Sequence, residues 1–92
     1  MAKIVIPTAL RKFTDNETDF ESFGSTVADA LGDLVDRYPS LKNQLYDSQN
    51  RLRGYINIYV NDADIRTLDR TDTTLEPQSV VSLVPAIAGG TQ

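Results

Sequence analysis

Apolar residues near the N-terminus fall at Ile4, Ile6 and Leu10, with Val5 between the first two, and predict a strand running toward Phe13. Pro7 has no amide proton, so the later part of that strand is expected at an edge or bulge. The polar run at 14–19 reads as a turn, and Phe20 and Phe23 mark a short second strand that completes an N-terminal hairpin. Gly24-Ser25-Thr26 then opens a helix, with Ser25 or Thr26 as N-cap and Asp29 in the first turn, where its charge suits the helix dipole. Val27, Leu31, Leu34, Val35 and Tyr38 recur at the spacing of one helical face, while Asp29, Asp33, Asp36 and Arg37 fall largely elsewhere.

Pro39 ends this helix, because the residue before a proline is driven out of helical geometry. Ser40 is placed to cap a shorter helical piece in which Leu41 and Leu45 share a face, and Asp47 to Arg51 follow as an exposed loop. Tyr55 to Val60 alternates with period two: Ile56, Ile58 and Val60 share one face, and Tyr55, Asn57 and Tyr59 the other. Asn61-Asp62 is a turn signal, and a short strand is expected to resume at Ile65. After a polar stretch and a Pro77-Gln78-Ser79 turn, Val80 to Val84 forms the last strand. The order ββαββ, with a short second helix, predicts one α+β domain over residues 1–84, a mixed sheet packed on one long helix, with 85–92 as a tail.

Composition narrows the chemistry. The chain has 92 residues with no cysteine and no histidine, which excludes a Ser-His-Asp triad, a Cys-His nucleophile, zinc-finger ligation and haem ligation. No metal site and no bound cofactor are expected. Hydrophobic residues make up 40% and charged residues 24%, near the globular average, so wholesale disorder is not expected. Apolar runs are far shorter than the roughly 20 residues needed to span a bilayer, and Met1 leads directly into a strand pattern with no signal region; a cytoplasmic protein without membrane contact is the expectation. Thirteen acidic against nine basic side chains speak against nucleic acid as a partner and for a basic protein surface. The acidic series Asp15, Glu17, Asp19 and Glu21 lacks the glycine and ligand spacing of a calcium loop and reads as solvated; Asp62 and Asp64, flanking a turn, need no metal either.

The tail is the unusual part. Pro85-Ala86-Ile87-Ala88-Gly89-Gly90 offers only Ile87 to a core, and its small side chains suit a narrow channel in another protein. Extended at about 3.3 Å per residue, these six residues reach at most ~20 Å. Three segments then carry a resemblance: Ile-Pro-Thr-Ala-Leu-Arg at 6–11, Tyr-Ile-Asn-Ile-Tyr-Val-Asn-Asp at 55–62, and Val-Pro-Ala-Ile-Ala-Gly-Gly at 84–90. With the helix between them, they cover essentially the whole chain, which resembles the ubiquitin-like small sulfur carriers of molybdopterin, thiamin and cysteine biosynthesis. Within that family it is most similar to the cysteine-synthesis branch of actinobacteria.

The resemblance implies a β-grasp fold and a protein that is a co-substrate, not an enzyme. It implies that an ubiquitin-activating-type enzyme adenylates the Gly90 carboxylate with ATP, that the product becomes a thiocarboxylate, and that a cysteine-synthase-like, pyridoxal-phosphate-dependent partner accepts the sulfur. Pro85, Ala86, Ile87, Ala88 and Gly89 are then the tail that enters partner active sites, and Gly90 the reacting residue. Sulfur travels on the main chain, so the absence of cysteine is consistent with the role. This sequence departs from the commonest pattern at Thr91 and Gln92, which leave Gly90 in an amide. Either a processing metallopeptidase removes them first, as the resemblance implies, or the chain does not act as a carrier. The proline turn at 77–79 replaces a Gly-Asp turn common in relatives and serves the same geometry. Other readings are the small subunit of molybdopterin synthase, a ubiquitin-like modifier conjugated through Gly90, and an interaction domain whose tail is never activated. Tyr55, Tyr59 and Val84 are candidates for an apolar docking patch, or for residues covering the sheet edge.

Overall fold

The computed structural model describes residues 1–85. Its strands are β1 (Ala2–Val5), β2 (Asp19–Ser22), β3 (Ile56–Val60), β4 (Ala63–Asp64) and β5 (Val80–Pro85), and its helices are α1 (Val27–Arg37) and α2 (Lys42–Leu45). The strands form one mixed sheet in the order β2-β1-β5-β3-β4. β5 lies in the middle, parallel to β1 with Ile4 opposite Val81, and antiparallel to β3 with Ile58 opposite Leu83. The last strand to be made thus joins the two hairpins.

One face of this sheet is apolar because the period-two residues of three strands coincide in register. Ala2, Ile4, Ile56, Ile58, Val60, Val81 and Leu83 are all buried, and Val27, Ala30, Leu31 and Leu34 of α1 pack against them. Thr26 is the N-cap: its Oγ1 accepts the Asp29 N–H at 3.2 Å. The far end stops before Pro39, where Tyr38 is buried edge-on to Phe20 with ring centroids 6.1 Å apart. Leu41 and Leu45 share a face as expected, and both are fully buried.

Four local expectations are corrected. The first strand stops at Val5, and Thr8–Phe13 winds into a 3-10 helix whose first N–H bond runs from Leu10 to the Pro7 carbonyl at 2.9 Å. Leu10 and Phe13, three residues apart, then both reach the core, which continued strand alternation would not allow. Phe23 lies outside β2 and is 84% exposed, because Ser22 ends the strand by turning inward. The Ser22 hydroxyl donates to Asp33 at 2.5 Å and accepts the Gly24 N–H at 2.9 Å. Ser40 caps nothing: Pro39–Leu41 is a 3-10 turn running directly into α2. Ile65 starts a 3-10 turn rather than a strand, with Asp64 capping it through the Arg66 N–H at 2.9 Å.

The β3–β4 turn forms as the sequence predicts. Asn61 and Asp62 both take left-handed backbone, φ 50° and 73°, which matches the twist of a two-residue hairpin. Asn61 also ties the turn to β5: its N–H donates to the Val80 carbonyl and its Oδ1 accepts the Val80 N–H, both at 2.9 Å.

Candidate functional site

The end of β5 is where the chain leaves the sheet. Val81 and Leu83 anchor the strand in the core while Val80, Ser82 and Val84 alternate onto the opposite face. Pro85 is the last described residue and stands opposite Ile56, the first residue of β3. Ala86 to Gly90, with Thr91 and Gln92, lie outside the described residues, so the tail expectations concern a segment that begins at this corner.

The outer face around that corner carries two of the three docking candidates together. Val84 faces Asn57 and is 44% exposed; Tyr59 faces Ser82 on one side and Asp64 on the other and is half-buried. The register makes Tyr59 and Val84 diagonal neighbours on one face, a contact distance suited to long side chains. Tyr55 is also 44% exposed, but it sits in the turn before β3, closed by the Ile56 N–H donating to the Arg53 carbonyl at 3.1 Å. It flanks the other two instead of continuing their strand.

Titrating groups here are few. The Arg66 guanidinium bonds both carboxylate oxygens of Asp64, at 2.7 Å to Oδ2 from one nitrogen and 3.1 Å to Oδ1 from another. Those side-chain bonds, with the Arg66 N–H, hold the Asp64 carboxyl below the usual aspartate range. The Asp47 carboxyl is likewise lowered, by the N–H groups of Arg51 and Gln49 at the turn it caps. Burial pushes the Tyr46 phenol up. Among the described residues no three acidic side chains converge as metal ligands do, and no helix is long and apolar enough to cross a membrane. Asp19 and Glu21 of the acidic series point to solvent from β2.

Sequence reading missed a second feature, a cavity beside β3 rimmed by Arg51, Arg66 and Arg70. Its signal in the chain is faint: basic residues of an acidic protein gather between positions 51 and 70, but on separate turns.

Comparison with known proteins identifies the family and the fold. A profile of the ThiS family matches residues 4–90. The chain is 34% identical over 89 residues to the sulfur carrier protein CysO of Mycobacterium bovis and of Mycobacterium tuberculosis, covering 95% of this chain and 96% of each relative. Among solved structures it is similar to the Amycolatopsis orientalis BexX/CysO complex, with 32% identity, 98% of this chain and 100% of that one covered, and a TM-score of 0.88. It also resembles small archaeal modifier protein 1 of Methanosarcina acetivorans, with 29% identity, coverages of 97% and 95%, and a TM-score of 0.84. The fold is therefore the ubiquitin-like β-grasp, and the chain belongs to the ThiS family of sulfur carriers, related to CysO along nearly its whole length.

Proposed function

We propose that this protein carries sulfur as a thiocarboxylate on Gly90 after Thr91 and Gln92 are removed, and that cysteine biosynthesis is the destination. The observation that carries the reading is the span of the family match, which ends on Gly90 and leaves only Thr91 and Gln92 beyond it. Water first cleaves the Gly90–Thr91 amide in the active site of a metallopeptidase. The freed carboxylate attacks the α-phosphate of ATP on the activating enzyme and releases pyrophosphate. A sulfur nucleophile then displaces AMP from the acyl carbon, leaving Gly90 –C(O)S⁻. Glycines at 89 and 90 keep that carbon open to each attacking group, since neither has a Cβ. The protein is consumed and regenerated as a substrate throughout; it supplies no catalytic side chain.

Docking through Tyr59, Val84 and the neighbouring Tyr55 fits this role, because the face lies at the corner from which the tail departs. The similar CysO is found in a complex with BexX, which supports a carrier held by a partner protein. The likeness to a small archaeal modifier protein favours one second reading, conjugation of Gly90 to lysines of other proteins.

Intact-protein mass spectrometry of material from native cells separates these. A carrier is truncated at Gly90, with a fraction heavier by the exchange of oxygen for sulfur, whereas a modifier gives conjugate ladders that vanish when Gly90 is deleted. Protein that stays intact through Gln92 under sulfur demand, with the peptidase present, refutes both. Val84→Asp in the truncated chain is expected to weaken the activating enzyme's KM severalfold at unchanged melting temperature, since burying a half-exposed valine is worth roughly 1 kcal/mol.

A further inference from the structure

A cavity of about 530 Å³ lies beside β3, lined by Leu52, Ile56 and Ile58 and rimmed by Arg51, Arg66 and Arg70. It exists because β4 is only two residues long. β4 covers Tyr59 and Val60, and the chain then turns away at Ile65. In an antiparallel pair, successive residues aim their main-chain groups to alternate sides. The bond from Asn61 N–H to the Val80 carbonyl assigns positions 57, 59 and 61 to the β5 side, so 56, 58 and 60 face the cavity side. Val60 meets Ala63 there, and the Ile56 N–H is taken by Arg53. Among the described residues the Ile58 N–H and the Ile56 carbonyl, which flank Asn57, have no strand neighbour. A bare edge of this kind is a template for one more strand.

The rim has a charge of its own. Three arginines surround the cavity against a single aspartate, Asp64, in a chain of net charge −4. Arg66 is held in place by Asp64, and Arg51 bonds Gln49 and lies 3.9 Å from the Asp47 carboxylate in an exposed ion pair. Arg70 has no ion pair among the described residues, and its backbone is left-handed at φ 55°, a conformation that costs a non-glycine residue roughly 1 kcal/mol or more. The turn around it is closed by Thr73 N–H to the Arg70 carbonyl at 3.1 Å and by Asp69 N–H to Thr73 Oγ1 at 3.1 Å. An unpaired cation is thus kept at the mouth of an apolar groove next to an open strand edge.

We infer that this cavity is a second protein-docking site, which takes an extended apolar peptide segment with acidic flanks from a partner protein as an added strand along Ile56–Ile58. Its apolar side chains lie against the half-buried Leu52, its backbone meets the edge of the buried Ile56 and Ile58, and its carboxylates meet Arg51 and Arg70. Among the described residues, neither Tyr59 nor Val84 lines this site, so it is separate from the outer-face docking candidates.

The test is a titration of the 15N-labelled full chain with the blocked peptide acetyl-Glu-Asp-Val-Ile-Val-Asp-Glu-amide. Parallel arms use the same peptide with lysine at each acidic position, and inorganic phosphate alone. Binding shifts the amides of Leu52, Ile56, Ile58 and Arg70, slows exchange of the Ile58 amide, and weakens as salt is raised. Removing an exposed ion pair costs up to about fivefold in affinity, so Arg51→Gln and Arg70→Gln each lower it by that order and the double variant by up to roughly twentyfold. The amide spectra of the variants verify that they are folded, and Arg51→Gln, on a separate turn, stands alone should Arg70→Gln disturb its own. No shifts at millimolar peptide, shifts confined to Tyr59 and Val84, equal binding of the lysine peptide, or phosphate reproducing the shifts and displacing the peptide would each overturn the inference.

Discussion

Gly24 is the position where the smallest chemical change should do the most damage. A Cβ built there lies 2.7 Å from the Ala30 nitrogen, 2.8 Å from the Asp29 Cβ and 2.9 Å from the Asp29 carbonyl carbon. All three atoms belong to α1, and two are backbone, so no side-chain rotation relieves the contact. Nor is the first turn of α1 free to withdraw. Thr26 caps it, the Val27 N–H is bound to the Thr73 carbonyl at 3.0 Å, and the Ser25 carbonyl accepts the Leu75 N–H at 2.8 Å. Overpacking of this kind costs about 1–3 kcal/mol, and disturbing the cap adds up to about 1 kcal/mol. Gly24→Ala should therefore lose roughly 1–4 kcal/mol, which for a domain of this size lowers the melting temperature by about 5–30 °C. Gly32 is the control: it sits mid-helix in α1 with nothing within 4 Å of its would-be Cβ. Gly32→Ala should stabilise by about 0.5–1 kcal/mol through helix propensity alone. Urea denaturation followed by circular dichroism measures both. A loss below about 0.5 kcal/mol at Gly24, or destabilisation at Gly32, would refute the packing argument.

Two further outcomes follow from local geometry. Asn61→Ala removes the acceptor of the Val80 N–H and the residue suited to φ 50°, and should cost about 1–2 kcal/mol with the denaturant slope unchanged; an unaltered unfolding midpoint would contradict the role given to that turn. The Asp64 carboxyl, lowered chiefly by its side-chain bonds to Arg66, should titrate below an ordinary aspartate in carbon-detected NMR, and Arg66→Gln should raise its midpoint. Because the folded value is the depressed one, the pair's stabilisation is present above the unfolded aspartate value and is lost as pH falls through the folded value.

How much of the fold is legible in the sequence varies with the range of the interaction involved. The α1 face, its stop at Pro39, the period-two faces of β3 and the Asn61-Asp62 turn depend on neighbours within a few residues, and each appears where the pattern places it. Segments whose fate depends on distant partners depart from their local pattern. Thr8–Phe13 winds because Leu10 and Phe13 must both meet a core supplied by other elements, and β2 ends at Ser22 because Asp33, eleven residues away, receives its hydroxyl. Of the docking candidates, alternation groups Tyr59 with Tyr55, whereas the β3–β5 register sets Tyr59 opposite Ser82 and so makes Val84 its diagonal neighbour.

By itself the sequence excluded side-chain chemistry that needs cysteine or histidine, and it supplied the small-residue segment ending in Gly89-Gly90 on which the proposed function rests. The tertiary structure alone decided that the strand leading to that segment lies at the centre of the sheet, opposite Ile56 at its last residue. It alone also brought Arg51, Arg66 and Arg70 to one cavity. Both depend on pairings between residues far apart in the chain, which hydrophobic periodicity cannot encode because it reports only which face of an element is buried, never which element it meets.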